Sequence, residues 1–107
     1  METKREKTRV KTDLGCSWGL TEACPRNGKI TSLSSRGCFV KTTAAATDGQ
    51  TIFVNCWLPD RRWLLLSGTV LYFIEKIGFG LSFTGLNEEQ RQDVASLIEQ
   101  YLDNPVT

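Results

Sequence analysis

The spacing of the apolar residues changes once along this chain, and that change limits the folds open to it. Through most of its length the apolar residues recur at every second position in short runs. In one run, Ile52, Val54, Cys56 and Leu58 fall on one face of a strand. From Val94 onward the spacing becomes that of a helix. Several strands followed by one terminal helix predict a β-rich domain with the helix packed against it.

The helix prediction covers residues 87–103. Asn87 is expected to be the N-cap and Gln90, three residues later, its capping-box partner. Asn104 and Pro105 are expected to end the helix. The apolar stripe of the helix consists of Val94, Leu97, Ile98, Tyr101 and Leu102.

Turn-forming residues divide the region before the helix into six strand-like segments. Pro25, with Asn27 and Gly28, predicts a tight turn after the first segment. Gly68 lies inside the longest segment and suggests a bulge or a bend there. The segments are residues 13–23, 28–34, 36–42, 50–58, 63–76 and 78–83.

These segments predict a mainly β fold of one domain, which is what a chain of 107 residues has room for. We expect a six-stranded antiparallel β-barrel, closed or nearly closed, over residues 13–86. The C-terminal α-helix, residues 87–103, would pack on one opening or side of the barrel. A flexible basic N-terminal arm, residues 1–12, would precede the barrel.

The residue types present argue against several kinds of site. The chain has no histidine, the commonest general base and metal ligand. Its four cysteines have no CxxC spacing and fit best as small buried hydrophobes in a reducing compartment. We therefore predict that the protein is not an enzyme and uses no metal and no cofactor.

The apolar runs are too short for a membrane span. The longest, VLYFI at residues 70–74, falls well below the roughly 20 residues that a spanning helix needs. The first twelve residues are charged and lack the apolar stretch of a secretory signal. These features predict a cytoplasmic protein without membrane insertion.

Charge is distributed unevenly along the chain although the net charge is only +1. Residues 1–41 contain nine Lys and Arg against four Asp and Glu, whereas residues 42–107 contain four against eight. Such polarisation often marks a site for an anion, although a solvated basic tail would carry the same charges. In an extended arm, Arg5 and Arg9 would point to the same side, about 13 Å apart. Guanidinium groups bind phosphate oxygens and the O6/N7 edge of guanine bidentately.

Two motifs in this order resemble those of the PilZ domain, a bacterial receptor domain for cyclic di-GMP. The first is RxxxR, present here from Arg5 to Arg9, and the second is [DN]xSxxG, which resembles SLSSRG at residues 32–37. A G-x-G-x-x-F run beginning at Gly78 and the C-terminal helix agree with the family pattern. The resemblance covers residues 4–102 and implies the same barrel and helix.

The resemblance implies roles for six residues. The guanidiniums of Arg5 and Arg9 would clamp the guanines and phosphates of cyclic di-GMP. Gly37 would allow a close backbone approach or a positive φ. The remaining ligand-binding candidates are Ser32, Ser34 and Lys4, the last standing where many relatives have a further arginine.

One position departs from the family motif. Ser32 stands where the family has Asp or Asn, so one hydroxyl replaces an acceptor for guanine N–H groups. The loss is about 1–1.5 kcal/mol, near tenfold in affinity. Each bidentate arginine contact is worth about 1–3 kcal/mol, so keeping both arginines matters more.

Three functions are compatible with these patterns. The leading hypothesis is a stand-alone cyclic di-GMP receptor or adaptor that signals in trans to a downstream protein partner. The alternative within the same fold is a degenerate adaptor that binds proteins but not cyclic di-GMP. The third, a small barrel that binds single-stranded nucleic acid, is disfavoured because the strands show no cluster of surface aromatics. Trp18, Trp57 and Trp63 are expected to be core or partly buried, and Arg36, Arg61 and Arg62 exposed turn residues.

Overall fold

Six antiparallel strands and one helix follow one another in the computed structural model, which describes residues 8–106. Each of the six predicted segments contributes a strand, and the helix runs from Glu88 to Asp103. The elements are β1 (Val10–Gly19), β2 (Arg26–Ser34), β3 (Gly37–Lys41), β4 (Thr51–Trp57), β5 (Trp63–Ile74), β6 (Gly78–Phe83) and α1 (Glu88–Asp103).

The strands form one closed barrel in the order β1-β2-β3-β6-β5-β4, with β4 paired back to β1. Every pairing is antiparallel. The predicted six-stranded antiparallel barrel with a C-terminal helix is therefore confirmed. Because β3 pairs with β6 and β4 with β1, the segment between β3 and β4 crosses one end of the barrel.

Alternation along the strands fills the interior. In β4, Ile52, Val54 and Cys56 are all fully buried, as their spacing predicted. Trp18 lies in the core and meets the ring of Phe79 edge to face, with 4.9 Å between centroids. Burial of such large rings supplies much of the hydrophobic stabilisation of a small barrel.

Two details of the strands differ from the sequence predictions. Asn27 and Gly28 do not form a turn but lie within β2, and the chain turns earlier, at Cys24, which has a φ of 48°. Gly28 is needed there because an added Cβ would crowd Trp18 and Val40. Glycine at this position therefore serves core packing and not turn geometry.

The first and fifth strands also differ in detail. β1 begins at Val10, three residues before the start of the predicted segment 13–23. In this added stretch, the Thr12 hydroxyl donates to the Ile30 carbonyl at 2.6 Å. In β5 the bulge lies at Leu71, not at Gly68, because the register shifts between Val70 and Tyr72. At Gly68 an added Cβ would collide with the backbone of β6.

Helix α1 packs over β1, β2 and β5. The predicted capping box is present, because the Asn87 side chain accepts from the Gln90 backbone and the Gln90 side chain accepts from the Asn87 backbone. Val94, Leu97 and Ile98 are buried. Tyr101 is partly buried and packs against the core, whereas Leu102 is exposed, so the apolar stripe ends one residue earlier than predicted.

All four cysteines are free thiols. Cys24, Cys38 and Cys56 are buried, as expected of small hydrophobes, and Cys16 is partly buried. Burial raises the pKa of Cys16 to about 12, and also raises the pKa values of Cys38 and Cys56. Within residues 8–106, no cluster of three metal-ligating side chains is present.

Candidate functional site

Arg9, the second arginine of the first motif, meets the second motif at the end of β2. β1 pairs with β2 so that Val10 lies opposite Leu33, which places Arg9 beside the end of β2. Arg9 Nη1 donates to Ser32 Oγ at 2.7 Å, and its Nη2 donates to Ser34 Oγ at 3.3 Å. Residues separated by more than 20 positions in sequence therefore share one hydrogen-bonded cluster.

Ser34 organises the turn that follows β2. Its hydroxyl is buried, donates to the Gly37 carbonyl at 3.3 Å and accepts from the Arg36 backbone N–H at 3.3 Å. A hydroxyl can accept two hydrogen bonds and donate one, so the interactions with Arg9, Arg36 and Gly37 use it fully. Ser34 thus fixes both the turn and the arginine side chain.

Gly37 is required by close packing and not by a positive φ. It begins β3, opposite Ser34 on one side and Ser82 on the other. An added Cβ would collide with the carbonyl of Leu81 in β6. Of the two reasons expected for this glycine, the structure shows the close approach, and the neighbour approached is β6.

Lys4 and Arg5 lie outside the described residues, so their predicted roles stay predictions. The side chain of Arg9 is exposed, and within residues 8–106 its guanidinium donates to the two serines, which leaves N–H groups for further acceptors. Ser32 is partly exposed beside it. The neutral hydroxyls position the guanidinium without neutralising its charge.

A cleft of about 290 Å³ lies beside the motif turn and contains two arginines that the site prediction omitted. Arg36 enters it from the turn, and Arg91 from the first half of α1. The backbone carbonyl of Arg36 accepts from Phe83 N–H at 2.8 Å, which ties the turn to the end of β6. Sequence spacing gave no signal for Arg91, because only the packing of α1 brings it to this turn.

The tryptophans divide between core and surface. Trp18 is buried, as expected, but Trp57 and Trp63 are 44% and 59% exposed and lie with their ring centroids 4.9 Å apart. The expectation that the strands carry no cluster of surface aromatics is therefore wrong. The cluster arises because Trp57 ends β4 opposite Trp63, the first residue of β5.

Comparison with known proteins identifies relatives of this architecture. A family model described as PilZ domain matches residues 3–100. The fold is similar to that of the Bacillus subtilis inhibitor of motility MotI, with a TM-score of 0.74 and 16% identity over 90% of this chain. The chain spans 50% of the length of MotI.

A second similar structure is the PilZ domain of CeSA from a cellulose-synthesizing bacterium, with a TM-score of 0.70 and 18% identity over 89% of this chain and 98% of that one. Apo MrkH from K. pneumonia has a TM-score of 0.64 and 12% identity over 89% of this chain and 49% of that one. No curated protein matches the sequence. None of the helices in residues 8–106 is long and apolar enough to cross a membrane.

Proposed function

The chain belongs to the PilZ domain family, and on that premise we propose that it binds cyclic di-GMP and passes the signal to a partner protein. The ligand would lie between Arg5, Arg9 and the turn at residues 32–37, with Lys4 adding charge. One observation carries the proposal: Arg9 of the first motif is held on the two hydroxyls of the second, at 2.7 and 3.3 Å. A receptor needs no catalytic group, and we propose no reaction.

The chemistry of the cluster suits an anionic dinucleotide. A guanidinium offers a planar fork of donors that matches phosphate oxygens and the O6/N7 edge of guanine. Arg9 is positioned in advance, so less side-chain entropy is lost on binding. Arg36, in the adjoining cleft, adds positive charge on the other side of the turn, and Arg91 lines the same cleft with Glu88 at 3.9 Å.

The proposal is tested by calorimetric titration of cyclic di-GMP into the purified protein, with GTP as the competing nucleotide. We expect selective binding of the dinucleotide and a loss of about tenfold or more in Arg9→Ala, because a bidentate contact is worth about 1–3 kcal/mol. Arg26→Ala is the matched control, since Arg26 is an exposed arginine at the opposite end of β2. No binding at high micromolar ligand by a folded sample would refute the proposal.

Ser32 favours a second candidate function, a degenerate adaptor that binds only proteins. In the family motif this position is Asp or Asn, whereas here a single hydroxyl accepts from Arg9. The variant Ser32→Asp separates the two candidates. A receptor with an otherwise intact site should still bind the dinucleotide and respond to this change, whereas a degenerate adaptor should gain no affinity from it.

A further inference from the structure

A second surface, away from the dinucleotide site, has the features of a docking site. Trp57 and Trp63 form the wall of a groove of about 620 Å³ on the outside of the barrel. We call it the tryptophan groove; its other main lining residues are Gly15, Pro59, Arg61 and Tyr101. Adjacent exposed tryptophans are costly to leave in water, because each ring can bury about 150–250 Å².

The floor of the groove is a glycine with empty space above it. Gly15 lies in the middle of β1, and an added Cβ there would meet no atom within 4 Å. On the far side stands Tyr101 of α1, whose hydroxyl accepts from the Asp13 backbone N–H at 3.4 Å. The strand thus leaves a gap, between aromatic side chains, in which an incoming side chain could lie.

Within the described part of the chain, residues 8–106, the charged side chains around the groove are paired except for Arg61. Arg62 is engaged by Asp60 and Asp93, both within 2.9 Å. Asp13, at the other end of the groove, is paired with Lys29 at 2.8 Å. Arg61 has a φ of 67° and lines the groove, and within residues 8–106 its guanidinium has no carboxylate partner. Among residues 8–106, the groove therefore presents apolar walls and the positive charge of Arg61, which no carboxylate pairs.

We propose that the tryptophan groove binds a peptide segment of a partner protein, which places an apolar or aromatic side chain over Gly15 and a carboxylate on Arg61. Arg61, the one unpaired cation that lines the groove within residues 8–106, suits one acidic residue, whereas a nucleic-acid strand needs a series of cations along its phosphates. Exposed tryptophans beside an arginine are also the composition of an interface hot spot, whose aromatic side chains become buried when the partner binds. Gly15 lies six residues along β1 from Arg9, about 20 Å away. The proposal goes beyond the dinucleotide site and does not depend on it.

The test begins with panning of a random 12-residue peptide library on the protein in the absence of cyclic di-GMP. A fluorescein-labelled peptide from the enriched set is then titrated against the variants. We expect enriched peptides to combine an apolar residue with Asp or Glu. Gly15→Leu should fill the groove and weaken binding about tenfold or more, since the anchor position is then occupied.

Further variants divide the apolar contribution from the charged one. Trp63→Ala should weaken binding by a similar factor, and Arg61→Glu by about fivefold with a loss of salt dependence. Lys76→Glu is the matched control, because Lys76 is an exposed turn residue with a φ of 64° at another hairpin. It should leave binding unchanged, as should Arg9→Ala, which separates this surface from the dinucleotide site.

Several outcomes would overturn the proposal. One is the absence of an enriched peptide class, and another is peptide binding that Gly15→Leu does not affect. Displacement of the peptide by oligothymidylate would identify a nucleic-acid surface instead. A dimer in sedimentation that becomes monomeric in Gly15→Leu would identify a second copy of this chain as the occupant.

Discussion

At the scale of single residues, Ser32 changes the electrostatics of the site as well as its hydrogen bonding. A carboxylate at this position would form an ion pair with Arg9, whose Nη1 now donates to Ser32 Oγ at 2.7 Å. The hydroxyl holds the same side chain but leaves its charge available to an anion. In the proposed complex with cyclic di-GMP, the lost acceptor for guanine would be partly offset by positive charge that faces phosphate.

Substitution of two glycines by alanine should have opposite effects on the free energy of unfolding. Gly37→Ala should lower the free energy of unfolding by about 1–3 kcal/mol, because the new Cβ would collide with the backbone carbonyl of Leu81, which cannot move alone. Gly15→Ala, in the same kind of strand but under open space, should raise it by about 0.4–1 kcal/mol. Urea denaturation of both variants measures the difference. Equal effects would mean that the closeness of β3 to β6 does not account for Gly37.

At the scale of the elements, alternation and turn chemistry predicted all six strands and the helix but not every boundary. Asn27 and Gly28 predicted a turn because that dipeptide usually forms one, yet within β2 the side chains of Trp18 and Val40 crowd the position that a Cβ of residue 28 would take. Gly68 suggested a bulge, but its small size is needed for contact with β6. Both errors have one cause: a glycine kept for packing has the same sequence signal as a glycine kept for its φ.

The helix start is a local feature that the sequence predicted fully, and its contribution can be measured. Asn87→Ala removes the side-chain acceptor of the Gln90 N–H, a bond of 2.8 Å, and should destabilise the protein by about 1 kcal/mol. Gln92→Ala is the control, because it removes only an exposed contact with Glu88 and should change stability by less than about 0.5 kcal/mol. Thermal or urea unfolding tests both. A cap variant no less stable than the control would show that packing of the buried face alone sustains α1.

At the scale of the whole molecule, barrel closure decides which surfaces exist. The motif cluster depends on the β1–β2 hairpin, and it was the resemblance to the family motifs that implied that Arg9, Ser32 and Ser34 serve one site. The tryptophan groove depends on the pairing of β1 with β4, strands far apart in sequence. Alternation fixes which face a residue occupies but not which strand lies beside it. For this reason no sequence pattern indicated the tryptophan groove.

Closure of the barrel also brings the cysteines into or beside the core, and their burial predicts how the free energy of unfolding depends on pH. The folded barrel keeps the thiols of Cys16, Cys38 and Cys56 protonated above their ordinary pKa of 9.0, because burial disfavours the thiolate. The unfolded chain releases these protons as pH rises through 9.0, so above that pH it binds fewer protons than the folded state. The contribution of these thiols to the free energy of unfolding is therefore fully present below pH 9. Above that pH it falls by about 1.4 kcal/mol per pH unit for each such thiol.

For Cys16 this loss continues to about pH 12, the value to which burial raises its pKa. The slope is measured by urea denaturation under reducing conditions between about pH 8 and 10.5, a range that includes the ordinary pKa of the thiol. In Cys16→Ala the slope above pH 9 should be shallower by about 1.4 kcal/mol per unit, because one titrating group has been removed, while below that pH the two curves should run parallel. Lysine and tyrosine ionisation affects both proteins alike and cancels in the difference. If the two slopes agree above pH 9, the Cys16 thiol ionises as readily in the folded barrel as in the unfolded chain, and this part of the barrel wall must admit water.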